Sequence, residues 1–231
     1  MGKDVIIACD FPDRRTTLSF LRKFGDRQLF VKVGMELFYS EGPDVIREIK
    51  NMGHKIFLDL KLHDIPNTVE KAMASLSKLD IDMTNVHAAG TAEMMKAAKR
   101  GLTRPDGSRP LLIAVTQLTS TGQVQLNEDL LIDLPMEKVV SAYAKNTKNA
   151  GLDGVVCSPL EARQIHNECG GDFLTVTPGI RFAGGCCDDQ TRITTPAKAA
   201  EIGSDYIVVG RPVTQAPDPV VAYERCLREF I

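Results

Sequence analysis

Residues 55–68 read Lys-Ile-Phe-Leu-Asp-Leu-Lys-Leu-His-Asp-Ile-Pro-Asn-Thr, an apolar run that continues into a series of charges. The run is typical of a buried strand, whose side chains alternate between two faces, so Asp59 and Lys61 should share one face. Asp64 follows where the strand should end, and Pro66 suits the first turn of a helix. Because charge is costly to bury unless it is paired, this pattern predicts a charged site at the carboxyl end of a strand. A single structural salt bridge is the alternative interpretation.

Similar apolar runs recur along the chain, with segments of helical periodicity between them. Runs that are apolar throughout are typical of parallel strands covered on both faces. Eight such strands in 231 residues favour one domain, residues 1–231, folded as an α/β (β/α)8 TIM barrel rather than an open sheet. The predicted strands are Val5–Asp10, Leu29–Gly34, Ile56–Lys61, Met83–Ala88, Leu111–Leu118, Gly154–Ser158, Leu174–Gly179 and Tyr206–Arg211.

Helix signals lie between these strands. Pro159 and Pro219 should each open a helix, and Asp13 and Thr91 are expected as helix N-caps. Long polar loops are predicted after the fifth and seventh strands, where loops of this length are often lids or binding loops. The amphipathic helices are Glu41–Asn51, Pro66–Leu79 and Met136–Ala150, and the loops are Thr119–Pro135 and Arg181–Arg192.

The composition is that of an ordinary globular protein, with 43% hydrophobic and 25% charged residues. A net charge of -2 gives no indication of nucleic acid as a partner, and no apolar stretch approaches the ~20 residues that span a bilayer. The amino-terminal apolar run is too short for a secretory signal, which favours a cytoplasmic protein with reduced thiols. Cys9 and Cys157 are expected in the core, no cysteine spacing suits a metal, and the adjacent Cys186 and Cys187 have no functional explanation.

Charged residues recur where the predicted strands end. Asp10 ends the first strand, Lys32 lies near the end of the second, and Asp59, Lys61 and Asp64 belong to the third. Barrel active sites lie at the carboxyl ends of the strands, so these side chains should meet as an alternating set of acids and bases. Carboxylates keep a lysine protonated, which favours a fixed cation and proton donor over an imine-forming lysine. An edge-strand lysine that reaches water is the alternative for Lys32.

The loops after strands seven and eight bind phosphate in many barrels. Here Arg181 follows Gly179 closely, and Arg211 follows Gly210. Glycine lets backbone N–H groups approach an anion, and arginine binds phosphate bidentately. Gln190, in the loop after strand seven, is a further candidate donor. Surface ion pairs are the alternative for both arginines.

Several polar residues have two interpretations. Thr119 and Ser120 either hydrogen-bond a polar ring or shape a turn. His63 and His87 are interpreted as structural rather than as proton carriers. His54 and His166 resemble ordinary exposed helix residues.

With these residues, the sequence resembles the orotidine 5'-monophosphate decarboxylase family, bacterial type, over essentially the whole chain. The most specific likeness is Asp59–Thr68, which matches the family signature closely. Further motifs occur in the family's order: Leu118-Thr119-Ser120, Pro178-Gly179-Ile180-Arg181, Asp189-Gln190-Thr191-Arg192 and Val209-Gly210-Arg211.

The resemblance implies a decarboxylation, without cofactor or metal, that yields uridine 5'-monophosphate as the last step of pyrimidine nucleotide synthesis. By this likeness, Lys61 stabilises the carbanion at C6 and then protonates it. Asp59 lies against the departing carboxylate, while Lys32 and Asp10 hold the ribose hydroxyls and the charged network.

The resemblance also implies a homodimer with shared active sites. Asp64 and Thr68 would then reach the site of the partner subunit, and Thr119 and Ser120 would face the pyrimidine. The implied phosphate ligands, beneath a closing loop at Arg181–Arg192, are Arg181, Gln190, Gly210 and Arg211.

The nearest rival is a magnesium-dependent decarboxylase or synthase of sugar phosphates, which shares the barrel and the Asp-x-Lys-x-x-Asp pattern. Such an enzyme would carry a metal-binding carboxylate at the second-strand position, where this chain has Lys32, and an ammonium cannot bind Mg²⁺. A catalytically silent barrel that senses a phosphorylated nucleotide or sugar is a second rival, which would not need five interleaved charges. Carboxylates around both lysines disfavour a Schiff-base aldolase.

Overall fold

The chain forms a closed barrel of eight parallel strands in sequence order, with β8 hydrogen-bonded to β1. This computed structural model describes residues 3–183 and 193–231. The closed ring confirms the predicted (β/α)8 fold, and all eight predicted strands are present with slightly different ends. The strands are β1 Asp4–Ala8, β2 Phe30–Gly34, β3 Lys55–Leu62, β4 Met83–His87, β5 Leu111–Val115, β6 Gly154–Val156, β7 Leu174–Thr177 and β8 Tyr206–Val209.

Helices connect consecutive strands and surround the barrel. Short 3₁₀ turns at Ala88–Gly90 and Pro159–Glu161 lead into two of them. The helices are α1 Arg14–Arg22, α2 Met35–Glu41, α3 Pro43–Asn51, α4 Pro66–Leu76, α5 Thr91–Leu102, α6 Gln123–Glu128, α7 Met136–Asn149, α8 Ala162–Cys169, α9 Pro196–Ile202, α10 Arg211–Thr214 and α11 Pro219–Phe230. Among the described residues, none of these helices combines the length and the apolar character that a bilayer crossing requires.

Three local predictions were wrong. The helix predicted at Glu41–Asn51 begins two residues later, as α3 at Pro43, because Glu41 is the last residue of α2 and Gly42, with φ of 67°, separates the two helices. Thr91 does not cap α5 but is its first residue. The N-cap position is occupied by Gly90, which has no side chain to accept a hydrogen bond. The polar segment after β5 is not all loop, since it contains α6.

Other local predictions were confirmed. The Asp13 side chain accepts a hydrogen bond from the Thr16 N–H at the start of α1. Pro219 occupies the first turn of α11. Cys9 and Cys157 are buried, whereas Cys186 and Cys187 lie outside the described residues.

The core has two layers, one inside the barrel and one between the strands and the helices. Along β3 the side chains alternate between them: Phe57 faces the interior, and Leu58 and Leu60 face the helices. This alternation puts Asp59 on the interior side, above Phe57. The interior layer is Ile6, Ala8, Phe30, Phe57, Met83, Ile113, Leu174, Val176, Tyr206 and Val208.

At the opposite end of the barrel, three carboxylates join neighbouring strands in the same way. Each aspartate comes immediately before an even-numbered strand. Its carboxylate accepts a hydrogen bond from the backbone N–H of the second residue of the preceding strand. These aspartate clamps are Asp82 with Ile56 at 2.7 Å, Asp153 with Leu112 at 2.7 Å, and Asp205 with Thr175 at 2.8 Å.

Each aspartate clamp also holds a basic side chain from the segment ahead of the odd-numbered strand. Lys50 lies 3.0 Å from Asp82, Arg109 forms a two-pronged pair with Asp153, and His166 lies 3.0 Å from Asp205. His166 is therefore not an ordinary exposed residue. His54 is also buried, and its Nδ1 accepts the Leu29 N–H ahead of β2.

We expect Asp153→Ala to lower the free energy of unfolding by about 1–3 kcal/mol, because the Leu112 N–H and the Arg109 guanidinium both lose their acceptor. Urea denaturation measures this loss. The matched control is Asp172→Ala, at an exposed position, which should leave stability nearly unchanged. Equal stability of the two variants would contradict a clamping role.

Candidate active site

A cavity of about 540 Å³ opens at the carboxyl ends of the strands. This volume is in the range of small-molecule sites. Nine of the residues singled out from the sequence line it: Asp10, Lys32, Asp59, Lys61, Thr119, Ser120, Arg181, Gly210 and Arg211. Gln215 also lines the cavity, and sequence reasoning missed it because it follows α10, beyond the recognised arginine motif.

Four charged side chains on the cavity wall form an alternating chain. Lys32 Nζ donates to Asp10 Oδ1 at 2.8 Å and lies 3.4 Å from Asp59 Oδ2. Lys61 Nζ donates to the other oxygen, Asp59 Oδ1, at 2.7 Å. Lys32 and Asp59 are only 9% and 7% exposed. This charge chain, Asp10–Lys32–Asp59–Lys61, brings the first three strands together as predicted.

Burial and pairing act in opposite directions on the inner members of the charge chain. Burial disfavours the ammonium form of Lys32, but Asp59 and Asp10 outweigh it and hold the pKa of Lys32 above its usual range. Burial likewise raises the pKa of Asp59, but Lys32, Lys61 and Asn85 together hold it below the usual range. Both groups are therefore charged at neutral pH.

Gly34, at the end of β2, leaves room for the charge chain. A β-carbon at this position would lie 3.1 Å from both Asp10 Oδ1 and Lys32 Nζ. Any side chain here would press on the ion pair, so glycine is needed for close approach rather than for backbone freedom.

Asn85 is a buried residue of the site that sequence reasoning missed. It is 0% exposed, its Nδ2 donates to Asp59 Oδ1 at 2.7 Å, and its Oδ1 accepts the Lys61 N–H at 2.8 Å. A signal was present in the sequence, because asparagine is uncommon within strands and Asn85 lies two residues from inward-facing Met83.

The phosphate-binding candidates lie on another part of the cavity wall. Arg181 is buried, and its Nη1 donates to the Ile180 carbonyl at 2.9 Å. Gly210 is the single residue between β8 and α10, and Arg211 is the first residue of α10; both line the cavity. Two cationic groups thus line the same cavity as the charge chain, a suitable arrangement for a ligand with an anionic end.

Two predicted site residues, Asp64 and Thr68, do not line this cavity. Asp64 and Thr68 are exposed, and Asp64 instead borders a separate shallow depression with His63 and Ile65. Gln190 lies outside the described residues. Within the single chain, Asp64 therefore does not extend the charge chain.

The two histidines near β3 and β4 form a pair. The rings of His63 and His87 lie 5.7 Å apart, centroid to centroid. Burial, His63 and Lys61 together keep the pKa of His87 below its usual range, so its ring is neutral at pH 7. The structural interpretation of the two histidines stays a prediction.

The Asp59 carboxyl is expected to remain ionised below about pH 4, where an ordinary aspartate is half protonated. Because its folded pKa is lowered, its contribution to stability is present above the unfolded pKa and is lost as the pH falls through the folded one. A carbon-13 NMR titration measures this directly. Lys32→Met should raise the pKa of Asp59, and an ordinary or raised value in the unaltered protein would contradict the expectation.

Comparison with known proteins agrees with this geometry. A family model described as "Orotidine 5'-phosphate decarboxylase / HUMPS family" matches residues 3–226. Relatives named orotidine 5'-phosphate decarboxylase from Bacillus cytotoxicus and Bacillus cereus are 56% and 55% identical over 233 residues, covering 100% of this chain and 98% of theirs.

Solved structures share both the fold and much of the sequence. An orotidine 5'-phosphate decarboxylase from Lactobacillus acidophilus superposes with a TM-score of 0.89 at 48% identity, covering 99% of each chain. An uncharacterized conserved protein from Geobacillus kaustophilus gives 0.88 at 48% identity, covering 98% of this chain and 100% of its own. With Asp59 and Lys61 of the signature on the cavity wall and relatives of this identity over the full length, the chain belongs to the orotidine 5'-phosphate decarboxylase family.

Proposed function

We propose that this protein catalyses the cofactor-free decarboxylation of orotidine 5'-monophosphate to uridine 5'-monophosphate, and that residues 1–231 act as one cytoplasmic domain. The observation that carries the proposal is the position of Lys32, between Asp10 and Asp59 at 2.8 and 3.4 Å. A magnesium-dependent sugar-phosphate enzyme would need an acidic ligand there. An ammonium paired on both sides supplies positive charge without a metal.

The reaction needs a cation beside the carbon that loses its carboxylate. When the bond between C6 and the carboxylate breaks, the electron pair stays on C6 and CO₂ leaves. We assign Lys61 to stabilise this carbanion and then to transfer a proton from Nζ to C6, after which solvent restores the proton. Asp59 holds Lys61 at 2.7 Å, and its negative charge faces the substrate carboxylate until that group departs.

The remaining cavity residues are assigned to substrate binding. Asp10 and Lys32 hold the ribose hydroxyls, and Thr119 and Ser120 contact the pyrimidine. We assign the phosphate to Arg181, Gly210, Arg211 and Gln190, the last of which lies outside the described residues. Binding energy gained at the phosphate, remote from C6, is then available to position the ring against Lys61.

A homodimer with shared sites completes the proposal. Asp64 and Thr68 are exposed in the single chain, and the neighbouring Ile65 is 65% exposed. An exposed isoleucine between two polar residues suits a subunit contact, which would bring Asp64 and Thr68 to the partner's cavity.

The test of function is to add orotidine 5'-monophosphate and excess EDTA to the purified protein and to follow the loss of substrate ultraviolet absorbance. We expect rapid loss that EDTA does not slow. Activity only on a sugar phosphate with Mg²⁺, or no turnover by the folded protein, would reject the proposal.

Lys61→Ala should lower kcat by at least about 10²–10⁴-fold, because both the fixed cation and the proton donor are removed. The same absorbance assay measures it. The control is Lys55→Ala, which alters an exposed lysine on the same strand and should keep near-normal activity. If Lys61→Ala retained normal turnover, its assigned role would be wrong.

Mixing Asp64→Ala and Lys61→Ala subunits tests the shared site. After dissociation and reassociation, about half of the dimers are mixed and each mixed dimer has one intact site, so about a quarter of wild-type activity should return. Each variant alone should remain far below this value. Confirmed mixed dimers without any recovery would show that the sites are not shared.

A further inference from the structure

The pairing between β3 and β4 is interrupted beside the charge chain. Leu58 pairs with Thr84, and the next paired residues are Leu62 and Val86. Residues 59–61 therefore lie opposite Asn85 alone. This β-bulge shifts the register in the one segment that carries both Asp59 and Lys61.

The Asn85 side chain fills the gap that the bulge leaves. Its carbonyl oxygen accepts the Lys61 backbone N–H at 2.8 Å, and its amino group donates to Asp59 Oδ1 at 2.7 Å. These partners determine the orientation of the amide, since a backbone N–H only donates and a carboxylate only accepts. One buried amide thus fixes the backbone of the lysine and the carboxylate that binds its ammonium.

The backbone of Lys61 needs this support. Its φ of 52° lies in the left-handed region, which residues with a β-carbon rarely adopt. Strained residues persist only where the surrounding contacts over-determine them, and they occur frequently at functional sites. The hydrogen bond from Lys61 to Asn85 is such a contact.

We infer that Asn85 is a positioning residue for the decarboxylation: it holds the bulge of β3 so that Asp59 and Lys61 meet the substrate in a fixed geometry. This inference rests on the proposed function. It adds a residue outside the recognised signature, on a different strand, that acts on the reaction only through Asp59 and Lys61.

The amide is the group that this position requires. A carboxylate would keep an acceptor for the Lys61 N–H but would lie against Asp59, and two adjacent carboxylates retain a proton between them. An alkyl side chain would leave both buried partners without a hydrogen bond.

The decisive variant is Asn85→Asp, which keeps the size of the side chain and removes its donor. We expect kcat to fall at least about tenfold, with KM changed less than about threefold because the phosphate-binding residues are untouched. The loss should deepen as pH rises between about 5 and 8, as the shared proton is released. If Asn85→Asp does not fold, Asn85→Ser, which is too short to reach both partners, should show the same kcat loss.

The matched control is Thr84→Val on the same strand. Buried Thr84 donates to the Leu58 carbonyl at 2.9 Å, so this change also removes a buried hydrogen bond between β3 and β4. Its melting temperature should fall as in Asn85→Asp, while kcat stays within about twofold of wild type at every pH.

The outcomes separate the inference from the function on which it rests. Near-normal kcat in the Asn85 variants, or an equal loss in Thr84→Val, would overturn the positioning role while the wild-type protein remains a decarboxylase. A wild-type protein without decarboxylase activity would instead overturn the proposed function.

Discussion

The site depends on the mutual support of opposite charges that are removed from water. Lys32 is buried between Asp10 and Asp59, and Asp59 is buried between Lys32 and Lys61. Each inner group would be costly to bury alone, and each is kept ionised by its neighbours. Because the partners come from the ends of β1, β2 and β3, the charge chain forms only when the barrel is closed at that edge. The cation that the proposed mechanism requires is therefore already in place in the protein without substrate.

Much of this arrangement could be predicted because it follows from local periodicity. Strand side chains alternate, so Asp59 and Lys61 had to share a face, and parallel strands in sequence order bring Asp10 and Lys32 beside them. The local errors arose where a single residue changed the backbone. Gly42 ended α2 at Glu41 and so moved the start of the predicted helix to Pro43, and the 3₁₀ turn ahead of α5 moved its cap from Thr91 to Gly90.

Asn85 could not be assigned by the same reasoning. Its partners are 24 and 26 residues away, and they meet it only because the register shifts between Leu58 and Leu62. A bulge depends on contacts between strands rather than on the residues of either strand alone. The proposed roles of Asp64 and Thr68 do not follow from the geometry of the single chain for a different reason, since their proposed contact is with a second copy of the chain.

The aspartate clamps have a consequence for how the barrel is built. At the end of the barrel opposite the cavity, here called the lower end, the chain from β3 onwards repeats the same order of elements three times: a basic residue, a strand, an aspartate and a second strand. The lower end is thus a series of two-strand modules, each closed within one continuous stretch of chain. A circular permutation that opens the chain between modules, in α5 or at the start of α8, would leave every clamp inside one piece. Within residues 3–183 and 193–231, the other end of the barrel, where the cavity opens, shows no such repeat. The chemistry at that end can therefore diverge while the two-strand modules stay intact.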